Sequence, residues 1–126
     1  MRTICLLLSA LLLLGCALQR AQVANEAQTS MVGLTKEQVL ACMGPPMSKT
    51  MEGGTEVWSY ASGNGQTDTM VSGNRFWAAG VSTQRFCTVN VIMTSGRVSR
   101  LNYVGPTGGL LTAGEQCAFA VQNCTR

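Results

Sequence analysis

The sequence predicts an α+β domain: a short helix, three β-strands and a second short helix, in that order. Three observations carry this. Thr35-Lys36-Glu37-Gln38 and Thr112-Ala113-Gly114-Glu115 both read as helix starts. Between them, Thr55 to Ala61 and Gln84 to Thr94 alternate with the two-residue period of half-buried strands. Ser95-Gly96 is a tight turn, from which Arg97 to Val104 returns as the third strand of a hairpin. A length of 126 residues suits one domain.

The N-terminus reads as targeting sequence. Met1-Arg2-Thr3 is a short basic region, and Ile4 to Leu14 is an apolar run. That run falls well short of the ~20 apolar residues a membrane-spanning helix needs, so it fits a secretory signal. It closes with Leu13-Leu14-Gly15-Cys16, which resembles a bacterial lipobox. Residues 1–15 are then a lipoprotein signal peptide, and Cys16 becomes a lipid-modified N-terminus. A plain cleaved signal with a free cysteine is the alternative. Ala17, rather than aspartate, follows the cysteine, which in Gram-negative bacteria resembles the outer-membrane sorting pattern. Residues 16–31 are polar and rich in small side chains, and read as a lipid-anchored flexible tether. The folded domain is expected over 32–126.

In the first helix, Thr35 is the N-cap and Gln38 completes the capping box. Leu34 and Val39 are spaced for a hydrophobic staple, and Glu37 complements the helix dipole. Gly44-Pro45-Pro46 ends the helix, since proline cannot continue it. Glu52-Gly53-Gly54 turns into the first strand, which places Val57 and Ser59 on one face and Trp58 and Tyr60 on the other. Residues 62–82 are rich in Gly, Ser, Asn and Thr, and read as a long loop or an irregular hairpin extension carrying Phe76-Trp77. In the next strand Cys87, Val89, Val91 and Met93 form the uniformly apolar set that should face the helices. Gly105-Pro106-Thr107-Gly108-Gly109 breaks the third strand, and a C-terminal helix is expected from Thr112 through about Asn123.

Beyond Cys5 and Cys16, four cysteines remain: Cys42, Cys87, Cys117 and Cys124. An even number in an exported chain reads as two disulfides. A four-thiolate metal site is the rival, but paired C-x-x-C spacing is missing, and the chain has no histidine. Cys117 and Cys124 on one helix would stand ~10 Å apart, beyond disulfide reach. Each therefore pairs with Cys42 or Cys87. Because Cys87 opens its strand next to where the third strand ends, close to the approach of Cys117, the expected choice is Cys87–Cys117 and Cys42–Cys124.

The formal net charge is +3, without a Lys/Arg run, which argues against nucleic acid as a partner. Catalysis needs bases, nucleophiles or a metal, and a chain without histidine is poorly supplied. No cofactor or metal is expected. The candidate contact residues are Trp58, Tyr60, Phe76 and Trp77. The first two also suit the buried face of a sheet. Phe76 and Trp77 either tuck onto the core or dock a partner. Arg97 and Arg100, near the hairpin turn, are solvated positions or contacts for lipid headgroups or an acidic partner.

Val32-Gly33-Leu34-Thr35-Lys36-Glu37-Gln38-Val39-Leu40, followed by Met43-Gly44-Pro45-Pro46, resembles the opening of the SmpA/OmlA (BamE-like) outer-membrane lipoproteins. Trp58-Ser59-Tyr60 then stands where that family carries an aromatic pair on a strand. The resemblance covers roughly residues 30–104. It implies helices packed on one face of a three-stranded antiparallel sheet. It also implies a lipoprotein anchored in the outer membrane and facing the periplasm, which binds envelope or outer-membrane proteins and anionic phospholipid. The four mature cysteines, residues 62–82 and the segment after Val104 fall outside the family pattern. The expected function is a non-catalytic binding or scaffold module in envelope assembly. An inhibitor-like periplasmic binding module and a thiol-redox protein are the alternatives.

Overall fold

The computed structural model describes residues 2–65 and 67–125, with the side chains of residues 2–14 and 68 outside the description. The apolar side chains behind the signal-peptide reading therefore lie outside the described residues. The fold is α+β. Helix α1 spans Arg2–Ser30 and helix α2 Lys36–Met43. Six strands follow: β1 Ser48–Glu52, β2 Thr55–Ser62, β3 Thr67–Gly73, β4 Ala78–Gln84, β5 Cys87–Thr94 and β6 Arg97–Val104. A 3-10 turn, Glu115–Cys117, leads into helix α3, Ala118–Val121.

The main sheet has four antiparallel strands in the order β1-β2-β5-β6, and β3-β4 forms a separate two-stranded sheet. The sheet is thus one strand larger than the three-stranded expectation. Strand β1 escaped sequence reading because all five of its residues are exposed, so Ser-Lys-Thr-Met-Glu carries no apolar alternation. It is an edge strand, joined to β2 through Gly53-Gly54. The stretch 62–82, read as a loop or hairpin extension, holds the end of β2, all of β3 and most of β4, and β3 and β4 pair as a hairpin.

One face of the main sheet is buried. Trp58 and Tyr60 on β2, Cys87, Val89, Val91 and Met93 on β5, and Val98 and Leu101 on β6 all join the core. Val98 and Leu101 are three residues apart, yet both point inward. A bulge between Ile92 and Met93 pairs Ile92 with Arg100 and Met93 with Val98, which sets Ser99 outside the ladder. At the β5-β6 turn, Ser95 and Gly96 have φ of 52° and 77°, the left-handed geometry of a tight hairpin.

Helix α2 has the ends its sequence specifies. The Gln38 amide donates to Thr35 Oγ1 at 3.3 Å, and the Thr35 amide donates to Gln38 Oε1 at 2.9 Å, so the capping box is closed. Gly44 terminates the helix at φ 78°, and its carbonyl accepts from the Tyr60 hydroxyl at 3.2 Å.

The largest correction concerns residues 16–31. The expected flexible tether is the second half of α1, and it packs. Ala24, Ala27 and Met31 are fully buried in the core. Ala, Gln, Leu, Arg and Glu are strong helix formers, and the buried positions recur at three- and four-residue intervals. Gln22 donates to Glu26 one turn on, at 3.1 Å. The Tyr103 hydroxyl donates to the Ala24 carbonyl at 2.6 Å, tying α1 to β6. After α1 the chain runs along the start of β6: Gly33 N–H donates to Val98 O at 2.8 Å and Val98 N–H to Leu34 O at 2.9 Å.

The C-terminal helix is also shorter than expected. Thr112 caps no helix, because its Oγ1 accepts from the Gly109 amide at 3.0 Å and closes a local turn instead. The helical segment begins at Glu115, after Gly114 in the left-handed region at φ 86°. Gln116, fully buried, knots this segment to the sheet. Its Oε1 accepts from Asn64 N–H at 2.9 Å, its carbonyl from Ser62 Oγ at 2.6 Å, and its amide donates to Thr107 O at 2.9 Å.

Both expected disulfides are present. Cys42–Cys124 joins α2 to the chain beyond α3, with Cα atoms 5.2 Å apart. Cys87–Cys117 joins β5 to the 3-10 turn, with Cα atoms 5.1 Å apart. Every cysteine of the metal-site alternative is therefore committed to a disulfide.

Candidate functional site

The structure separates the aromatic candidates into two groups. Trp58 and Tyr60 belong to the core, at 2% and 5% exposure. Strand alternation turns both side chains inward, where the helices cover them. Trp58 Nε1 donates to Glu56 Oε1 at 2.6 Å, and the Lys49 ammonium sits 4.4 Å from the centre of its ring. Lys36 pairs with Glu56. The Lys36 hydrogen bond, then the Trp58 one, hold the Glu56 carboxyl below its usual value of 4.5. Burial lifts the Tyr60 phenol to about 12. Neither aromatic is placed to touch a partner, which corrects their reading as contact residues.

Phe76 and Trp77 have the opposite fate. They occupy the tip of the β3-β4 hairpin, at 90% and 63% exposure. The tip is ordered by Asn74, whose Oδ1 accepts from the Phe76 amide at 2.9 Å and the Trp77 amide at 3.1 Å. Asn74 N–H in turn donates to Trp77 O at 2.7 Å. Two large rings are thereby presented on a closed turn.

The arms continue the apolar surface. Met70 lies directly across from Val81, so both side chains share one face, while Val71 pairs with Gly80 on the other. Met70, Val71 and Val81 are all exposed. These three escaped sequence reading because Thr, Ser, Gly and Ala dominate around them and mask the alternation. Gly63-Asn64-Gly65 before Met70-Val71 and Gly73-Asn74 after it were the available signal. A two-stranded hairpin gains little stability alone. Its exposed rings and aliphatic arms make it a surface suited to burial against another molecule.

The arginine candidates sit on β6, and the two differ. Arg97 Nη1 donates to Gly33 O at 2.8 Å, so this side chain braces the chain between α1 and α2. Arg100 is exposed, beside Ile92 of β5. Cys16 is exposed and carries no disulfide. Among the described residues, no helix is long and apolar enough to cross a membrane, and no group of three or more Cys, Asp or Glu side chains is placed to hold a metal ion. Set against protein-family models, curated proteins and solved structures, the chain matches none.

Proposed function

We propose that this chain is a lipoprotein anchored in the outer membrane through Cys16, facing the periplasm, which serves as a non-catalytic binding or scaffold module in envelope assembly. The observation that carries the binding role is the β3-β4 hairpin. It offers Phe76 and Trp77 on an ordered turn, with Met70 and Val81 on one adjoining face. Aromatic anchors of this kind dominate the energetics of protein interfaces. The lipobox-like Leu13-Leu14-Gly15-Cys16 and the exposed position of Cys16 support the anchor. The similarity of residues 32–46 to SmpA/OmlA lipoproteins supports an envelope or outer-membrane protein as partner, with anionic phospholipid as a further ligand beside Arg100. The available side chains favour binding over catalysis: histidine is missing, and Glu56 is engaged by Lys36 and Trp58.

A soluble periplasmic enzyme is the partner expected of an inhibitor-like module, because an aromatic hairpin tip also fits an enzyme cleft. A thiol-redox role fits less well, since Cys87 and Cys117 are buried and bonded to each other.

Photo-crosslinking in cells from a benzophenone side chain at position 77, followed by mass spectrometry, tests the reading. Adducts with outer-membrane proteins support the scaffold. Adducts with one soluble enzyme favour the inhibitor. A tip that forms no adduct, while the α1 surface or Arg100 does, removes the hairpin as the docking site. Intact mass of the membrane-extracted protein reports cleavage before Cys16 and the added acyl chains.

A further inference from the structure

A second exposed apolar feature lies away from the hairpin. Leu110 and Leu111 are 98% and 81% exposed, the former more than any other large hydrophobic side chain among the described residues. The loop that carries them is braced. Gly109 N–H donates to Thr112 Oγ1 at 3.0 Å, Thr112 N–H to Gly109 O at 3.3 Å, and Gly114 N–H to Thr107 Oγ1 at 3.0 Å. The leucines are therefore held out by a closed turn.

Their position in the fold is specific. Leu110 and Leu111 line an open recess of about 610 Å³ against α1, opposite Leu18, Ala21 and Ala24, with Tyr103 at its side. The lining carries no charged residue, though Gln22, Asn25 and Gln28 add amides along α1 and the Arg85 guanidinium lies near Gly109 at the base of the loop. Leu18 is itself half exposed and lies ~3 Å along the helix axis from Cys16, while Ala24 lies ~12 Å along it. Because α1 packs on the body from Ala24 onward, little free chain separates the anchor from the folded domain.

Resting on the lipid-anchor reading above, we propose that Leu110 and Leu111, together with Leu18, insert into the leaflet that carries the Cys16 lipid. The occupant of this surface is the acyl region of the bilayer. Acyl chains on Cys16 bring the start of α1 to the membrane, and the docked helix carries the leucine loop with it. Interfacial apolar groups settle roughly 5–10 Å into the headgroup and acyl boundary, a depth that two adjacent leucines on a tight turn can reach. The second contact orients the domain, so that the lipid acts as a pivot and the leucine loop as a stop.

The test uses lipidated protein carrying Leu111→Trp and Trp77→Phe, reconstituted into phosphatidylcholine vesicles whose lipids are brominated on the acyl chains. Position 111 is exposed, so the substitution leaves the fold intact, and the neutral surface removes electrostatic attraction. The introduced tryptophan is expected to lose its fluorescence severalfold relative to unbrominated vesicles, and Trp58 in the core to keep its own. In the wild-type chain, amide exchange at 110–113 should slow in vesicles while that at 75–77 does not. Acyl mass on the protein with an unquenched tryptophan overturns the insertion and leaves the anchor standing. Protection seen in native membranes but lost in pure vesicles overturns it in favour of a protein partner. Protection that grows with protein density in the vesicles overturns it in favour of a second copy. A protein without acyl mass removes the anchor itself, and this proposal with it.

Discussion

Replacing each disulfide by a pair of alanines separates two contributions that act in opposite order. Cys42–Cys124 spans 82 residues of sequence and Cys87–Cys117 spans 30. Chain-entropy arithmetic at 25 °C assigns about 4.5 kcal/mol to the longer bridge and about 3.6 kcal/mol to the shorter. Burial reverses the ranking. Cys87 and Cys117 are buried in the core, whereas Cys42 and Cys124 are partly open to solvent. Alanine at the buried pair leaves sulfur-sized voids in a close-packed core, worth about 2 kcal/mol for the two sites together. The Cys87→Ala/Cys117→Ala variant should therefore lose about 1 kcal/mol more than Cys42→Ala/Cys124→Ala, despite its shorter loop. Urea unfolding at 25 °C, followed by far-ultraviolet circular dichroism, reads both losses from the midpoints at a common slope. A larger loss in the Cys42→Ala/Cys124→Ala variant would mean that loop length alone governs, and would refute the packing argument.

Three further outcomes are expected. Phe76→Ser/Trp77→Ser should abolish partner capture while moving stability by less than about 0.5 kcal/mol, because both rings are exposed; affinity capture and thermal unfolding on one preparation check both halves. Gln116→Leu keeps the volume but removes the acceptor of the Asn64 amide, and should cost about 1–3 kcal/mol in urea unfolding. Glu56, whose carboxyl is held below 4.5 chiefly by Lys36, contributes stability that is present above that pH and lost as pH falls through its lower folded value. The urea midpoint should therefore drop on acidification below pH 4.5, and Glu56→Gln should flatten that part of the curve.

Much of the fold was legible wherever local chemistry and period agreed. The Thr35 box, the Gly44 stop, the inward set on β5 and the Ser95-Gly96 turn all depend on residues within a few positions of one another. For the cysteines, helical spacing argued only against Cys117–Cys124, which leaves two pairings, and the choice of Cys87–Cys117 rested on Cys87 opening its strand close to the C-terminal segment. The elements misread share a different property. Residues 17–31 combine helix-forming side chains with a polar surface, and only packing against β6 and the C-terminal segment gives their small buried face a purpose. Strand β1 has no apolar face at all, and exists because β2 offers it an open edge. Thr112 fits a helix cap in sequence, but the turn it closes at Gly109 competes successfully for its hydroxyl.

The candidate site divides the same way. From the chain alone come the lipobox-like cysteine, the four bridging cysteines and the prominence of Phe76-Trp77 in a polar stretch. Tertiary structure alone decided that Trp58 and Tyr60 face inward, that Arg97 braces the Gly33 backbone, and that Leu110-Leu111 shares a recess with the Leu18 to Gln28 stretch of α1. The reason is physical. Capping, turn geometry and alternation are set by neighbours in sequence, whereas exposure is set by whichever distant element comes to lie against a side chain.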